Sequence, residues 1–114
     1  MSEKLYNLEA LNALVDGNEQ FRRTLIELFN QTTPPILEDI QESSLKNDWN
    51  ALYLHLHKIK PTIDSLGIQK AKPLLTKMME ESKKEKFNPA IGEMVSQFCG
   101  ILQETIEQLK MNEL

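Results

Sequence analysis

The sequence has little of what extracellular and membrane proteins need. Its 114 residues include one cysteine, Cys99, which excludes an internal disulfide and fits a reducing compartment. No apolar run approaches the ~20 residues that a membrane-spanning helix requires. The N-terminus, Met-Ser-Glu-Lys-Leu-Tyr, carries no apolar signal region. These absences predict a cytoplasmic protein that does not associate with membranes.

Residues that commonly build catalytic or metal sites are also scarce. His55 and His57 are two residues apart, so on a helix they point in nearly opposite directions. No Glu-x-x-His pair of the di-iron type and no glycine-rich phosphate loop occurs. Cys99 follows Phe98 in an apolar helical stretch, where a thiol is inert. We therefore expect no metal, no cofactor and no hydrolytic centre.

The net charge of −4 argues against general nucleic-acid binding, but the charge is uneven. Residues 46–77 contain six lysines against only Asp48 and Asp64. Two interpretations remain open. The lysines form an ordinary solvated surface, or they form a basic patch around His57 that attracts an acidic partner.

Apolar residues recur at helical spacing along most of the chain, and no strand pattern, repeat or linker interrupts them. We predict a short helix over residues 5–15 and a second helix from about 19, capped by Asn18. The stripe of the second helix is read as Phe21, Leu25, Leu28 and Thr32, with Ile26 and Phe29 beside it, and a kinked continuation follows Thr33-Pro34-Pro35.

Three more helices follow. The central one begins at a cap on Asn47 and ends at Gly67, and the next starts near Lys72-Pro73 with Leu74 or Leu75 and Met78 in its stripe. Residues 80–86 are read as a solvated end. Asn88-Pro89 signals the last helix, whose stripe is Ile91, Val95, Phe98, Leu102, Ile106 and Leu109. The fold predicted is a single all-α domain, 1–114, an up-and-down antiparallel four-helix bundle with a short N-terminal capping helix, and a monomer.

The central helix carries the most distinctive pattern, in residues 48–67. Its apolar stripe is Trp49, Leu52, Leu56, Ile59, Ile63 and Leu66. His57 lies about 100° round the helix from Leu56. Lys60, Pro61 and Asp64 follow His57 at helical spacing, so all four share a face beside the core.

This stretch resembles the histidine-containing phosphotransfer (HPt) domain family. The family pattern is Asp-Trp, an apolar spacer, His-x-Leu-Lys-Gly, small residues, and Leu-Gly ten residues after the histidine. The chain has Asp48-Trp49, Ala51-Leu52, His57-Lys58-Ile59-Lys60 and Leu66-Gly67 in that register. The run Glu27-Leu28-Phe29, the capping helix and the number of helices extend the resemblance over the whole chain.

The resemblance implies a role for each residue of the motif. His57 would be the phosphoryl acceptor, and Lys60 would stabilise the phosphoryl oxygens. Lys58, Pro61 and Asp64 would contribute to docking. The partner would be a response-regulator receiver domain, a hybrid sensor kinase, or both. The receiver would bring the Mg²⁺ and the catalytic groups, so this chain would be a reversible carrier and not an enzyme.

Two residues depart from the family pattern. Pro61 replaces the glycine after the lysine, so it adds a ring and removes the amide that would bond the carbonyl of His57. Asp64 replaces a small residue and adds negative charge, although Lys60 could pair with it. Two alternatives therefore stand beside the carrier: a degenerate HPt-like module that docks without transfer, and a plain helical scaffold in which His57 and Lys60 are surface residues.

Overall fold

Five helices make up the computed structural model, which describes residues 3–114. They are α1 (Glu9–Val15), α2 (Glu19–Leu45), α3 (Trp49–Ser65), α4 (Ala71–Lys83) and α5 (Pro89–Glu113). No strand occurs within the described residues, so the predicted all-α class is confirmed. No helix in this range combines the length and the apolar character needed to cross a bilayer.

The helices pack around one apolar core. Helix α2 contacts α3 and α5, α4 contacts the same two helices, and α1 lies against α2. Each of the four long helices contributes fully buried side chains, such as Ile26, Leu56, Met78 and Phe98. This packing is consistent with a helical bundle.

Side-chain caps fix where three of the helices begin. The Oδ1 atoms of Asn18 and Asn88 accept hydrogen bonds of 3.0 Å from the amides of Phe21 and Ala90, as predicted. The predicted cap on Asn47 is wrong by one residue. Asp48 caps α3 by accepting from the amide of Ala51 at 3.2 Å, while Asn47 has a left-handed φ of 55°.

The predicted stripe of α2 is also wrong in phase. Ile26, Phe29, Thr33, Leu37 and Ile40 are buried, whereas Phe21, Leu28 and Thr32 are exposed and Leu25 is half-buried. Adjacent apolar pairs at 25–26 and 28–29 allow two phases about 100° apart. Packing of α2 against α3 and α5 selects the phase that leads into the buried residues Leu37 and Ile40.

The ends of two other segments differ from the prediction. Residues 5–8 precede α1 as a non-helical strap that buries Tyr6 and Leu8. Residues 80–86 are a solvated end only in part. Glu80 and residues 83–86 are exposed, whereas α4 continues to Lys83 and buries Glu81 and Ser82. The Glu81 carboxylate accepts from Lys84 at 3.1 Å and from Asn88, and these bonds lower its pKa.

The N-terminal strap crosses the chain at the end of α3. The Asn7 amide donates to the Leu66 carbonyl at 2.9 Å. Gly67 has a φ of 56°, and a Cβ added there would lie 2.7 Å from the Asn7 carbonyl oxygen. Glycine is required at position 67 for both reasons, so this part of the motif has a structural explanation.

Candidate functional site

His57 lies exposed on α3, as the helical phase predicts. The stripe residues Leu52, Leu56, Ile59, Ile63 and Leu66 are buried and Trp49 is half-buried. The imidazole therefore projects from a helix whose opposite side is fixed in the core. Lys60 follows one turn later and is also exposed.

The charges around His57 are simpler than the lysine count suggests. Four of the six lysines in residues 46–77 have carboxylate partners: Lys46–Glu42 at 2.6 Å, Lys70–Glu3 at 2.7 Å, Lys72–Asp64 at 3.7 Å and Lys77–Glu81 at 3.7 Å. Lys58 and Lys60 form no ion pair with any residue between 3 and 114. The positive charge not offset in this segment therefore flanks His57.

Asp64 does not pair with Lys60, in contrast to the pairing considered from the sequence. Its carboxylate lies 3.7 Å from the ammonium of Lys72, at the start of α4. Both groups are partly exposed, so the pair contributes little to stability. It does offset the negative charge of Asp64 and leaves the Lys60 ammonium available beside His57.

Pro61 lies within α3, which continues to Ser65. Its ring removes the amide that would bond the carbonyl of His57. Both residues are exposed, so water can hydrate that carbonyl. Pro61 also lines a surface groove, one turn after His57 on the same helix.

This groove, which we call the α1–α2–α3 groove, is mainly apolar. It is lined by Leu11, Leu14, Leu25, Leu28, Phe29, Thr32, Pro61, Thr62, Ser65 and Leu66. Leu14 is 67% exposed and Leu28 is 52% exposed. Such large apolar side chains at the surface mark an interaction site when they are contiguous. Helical periodicity does not reveal the groove, because it places Leu28 in the predicted apolar stripe of α2.

Two further residues near His57 were missed. The Tyr53 ring centroid lies 6.1 Å from that of His57, with 33° between the ring planes. The Lys83 ammonium lies 5.1 Å from the Tyr53 ring centroid. The four-residue spacing of Tyr53 and His57 was a signal in the sequence. The position of Lys83 depends on the register between α3 and α4, which the sequence does not reveal.

The other candidate residues occupy different surroundings. His55 is half-buried and lines a cleft with Asp39, Ser43 and Asp48, on the side of α3 that faces α2. Cys99 is buried, and burial raises the pKa of its thiol to about 11, which keeps it protonated and unreactive. Among the described residues, no three His, Cys, Asp or Glu side chains lie close enough to hold a metal ion.

Comparison with known proteins gives no match: no family model, no curated protein and no solved structure is similar to this chain. A helical bundle alone does not define a function. The function must therefore be inferred from His57 and its neighbours.

Proposed function

We propose that this chain is a phosphorelay carrier that accepts a phosphoryl group on His57 and passes it on reversibly. The observation that carries the proposal is an exposed histidine flanked by Lys58 and Lys60, which have no carboxylate partner in the described structure. The HPt-like motif supplies the role of each residue. A neutral imidazole offers a free ring nitrogen as nucleophile.

The transfer is a single displacement. A ring nitrogen of His57 attacks the phosphorus of an aspartyl phosphate, an N–P bond forms, and the P–O bond breaks. The electron pair of that P–O bond returns to the aspartate as carboxylate, and the second ring nitrogen keeps its proton. The Lys60 ammonium, one turn away, offsets charge on the phosphoryl oxygens during the step.

The proposed carrier also has a definite helix topology. Helices α2 to α5 would run up and down in antiparallel order, with α1 across one end as a capping helix. The short links and the contacts of α2 with α3 and α5, and of α4 with the same helices, support this arrangement. It leaves one long flank of α3 free for a partner, and the protein would act as a cytoplasmic monomer.

The partner proposed is a receiver domain, free or as part of a hybrid sensor kinase. It would bury its apolar surface in the α1–α2–α3 groove, which ends at Pro61, one turn from His57. Lys58 and Lys60 would face the acidic phosphorylation site of the receiver. Apolar contact would supply affinity, and the two lysines would orient the encounter.

A docking module without transfer is the second candidate, and Pro61 favours it. The groove can bind a receiver whether or not His57 reacts. The proline ring lines the groove one turn after His57, where the family has glycine. The two candidates share a surface and differ only in chemistry.

Incubating the protein with receiver domains that have been phosphorylated by labelled acetyl phosphate separates them. The carrier gains acid-labile label that is lost in His57→Gln and kept in His55→Gln. Binding without label leaves only the docking module, and neither binding nor label across the receiver set leaves a scaffold. A matched pair of variants tests the groove. Leu28→Lys should weaken receiver binding roughly tenfold. Leu45 is 85% exposed and lies outside the groove, so Leu45→Lys should leave binding unchanged.

A further inference from the structure

The ring of Tyr53 stands beside the imidazole of His57, one turn earlier on α3. Their centroids are 6.1 Å apart and the planes are tilted by 33°. This separation lies within the range of about 4.5–7 Å at which aromatic pairs attract each other. Tyr53 is half-buried, whereas His57 is exposed. The tyrosine is thus the better fixed of the two rings.

A cation from the neighbouring helix holds the tyrosine in turn. The Lys83 ammonium lies 5.1 Å from the centre of the Tyr53 ring, within the range of a cation–π contact. Lys83 is in the last turn of α4 and has no carboxylate partner within the described chain. Its contact links the ring beside His57 to a second helix.

A histidine alone on an exposed helical face can exchange between staggered rotamers. In a helix one of the three χ1 wells is already rare, because it clashes with the preceding turn. A ring packed against one side of the imidazole restricts the remaining freedom. Such a contact narrows the range of imidazole orientations that a partner would meet.

We propose that Tyr53 is a positioning residue for phosphoryl transfer at His57, a proposal that rests on the proposed function. Its ring holds the imidazole plane so that one ring nitrogen is presented to the incoming phosphoryl group. Tyr53 acts through His57 and does not contact the phosphoryl group. Lys83 keeps the tyrosine ring in place from α4.

Phosphoramidate, a small phosphoryl donor that needs no docking surface, tests reactivity at His57 directly. Tyr53→Leu should slow labelling by about two- to threefold, the factor that a few competing rotamers impose. Tyr53→Phe keeps the ring and should react like the natural protein. The labelling rate of Lys83→Met should lie between these two. Lys86→Met removes the same charge from the loop after α4 and should leave the rate unchanged.

A phosphorylated receiver extends the test to transfer. Tyr53→Leu should lower the transfer rate at saturating receiver, with the receiver concentration for half-maximal rate unchanged. Since a general loss of structure would change both quantities, far-UV circular dichroism is recorded on each variant. Equal slowing in Tyr53→Phe and Tyr53→Leu would exclude a role for the ring and overturn the proposal.

NMR gives a readout that is independent of transfer. Nuclear Overhauser contacts between the rings of residues 53 and 57, and a ring-current shift of the His57 protons, should appear in the natural protein and in Tyr53→Phe. Their absence, or wild-type labelling rates in Tyr53→Leu, would refute the role of Tyr53. A protein that no receiver labels would refute the carrier instead. The NMR comparison and the phosphoramidate rates would then still decide whether Tyr53 positions the His57 ring.

Discussion

At the scale of single residues, Pro61 is where the chain departs most from the pattern it resembles. The proline is exposed, lines the α1–α2–α3 groove and leaves the carbonyl of His57 without its helical donor. Its position gives it contact with any partner that occupies the groove and reaches His57. Under the proposed function, Pro61 is therefore expected to influence which receivers transfer efficiently.

Replacing Pro61 by glycine tests this expectation. Pro61→Gly removes the ring and restores an amide that can bond the His57 carbonyl, so it should speed transfer from receivers that react poorly with the natural protein. Transfer from a partner that is adapted to the proline ring should become slower instead, which would be a change of selectivity. Transfer rates are measured across several receivers.

Glycine also costs about 1 kcal/mol relative to alanine inside a helix, so the stability of the variant is measured separately. Pro89→Gly, at the start of α5 and outside the groove, serves as the control. Unchanged rates for every receiver would show that Pro61 neither blocks nor selects.

At the scale of elements, the phase of α3 decides whether His57 is exposed. Leu56 is fully buried and Leu54 is 57% exposed on the same helix. Leu56→Ala should lower the free energy of unfolding by about 2–5 kcal/mol, because it leaves a cavity in the core. Leu54→Ala should change it by less than about 0.5 kcal/mol. Urea unfolding followed by circular dichroism measures both, and the reverse order of effects would mean that the helix is turned.

The sequence predicts α3 and α5 well because each has a single apolar stripe with no competitor. The stripe of α5 is buried from Ile91 to Leu109, as predicted. The predicted buried face of α2 is wrong because the pairs Leu25–Ile26 and Leu28–Phe29 allow two apolar stripes. Only packing against α3 and α5 decides between them. The choice matters for function, since it determines whether Leu28 lies in the core or in the groove.

The surroundings of His57 show the same division. Its exposure and its spacing from Lys60 follow from the period of one helix and need no tertiary information. Lys83 reaches Tyr53 only through the register of α3 against α4, and Leu14 enters the groove only because α1 packs on α2. Helical periodicity therefore predicts which side of α3 is exposed, but it does not predict the contacts between helices.

At the scale of the whole molecule, a polar cluster joins the N-terminal strap to the end of α5. Glu113 accepts hydrogen bonds from the Tyr6 hydroxyl at 2.7 Å and from the Arg22 guanidinium. Burial raises the pKa of Glu113, but the bonds from Arg22 and Tyr6 outweigh it and hold the pKa below the ordinary 4.5. The carboxylate thus stabilises the fold when it is ionised.

The sign of the pH dependence follows. Because the folded-state pKa is lowered, this stabilisation is complete above pH 4.5 and is lost as the pH falls through the folded-state pKa. Glu113→Gln should lower the free energy of unfolding by about 1–2 kcal/mol at pH 7, and the difference should shrink in acid. Thermal unfolding at several pH values measures it. Glu107→Gln, an exposed carboxylate paired with Lys110, is the control and should have little effect at any pH.

Hydrogen bonds beside this cluster hold residues 3–5 against the last turns of α5. The amide of Leu5 donates to the Gln108 side chain at 2.8 Å, and that side chain donates to the carbonyl of Glu3 at 2.7 Å. A short linker could therefore join Leu114 to the N-terminal residues, with new ends opened in the exposed turn at Glu85, without moving α3. Circular permutation of this kind would turn contacts that now span more than a hundred residues into local ones, while the contacts of α4 with α5 would become long-range. The folding rate of the permuted chain would report the balance between the two changes.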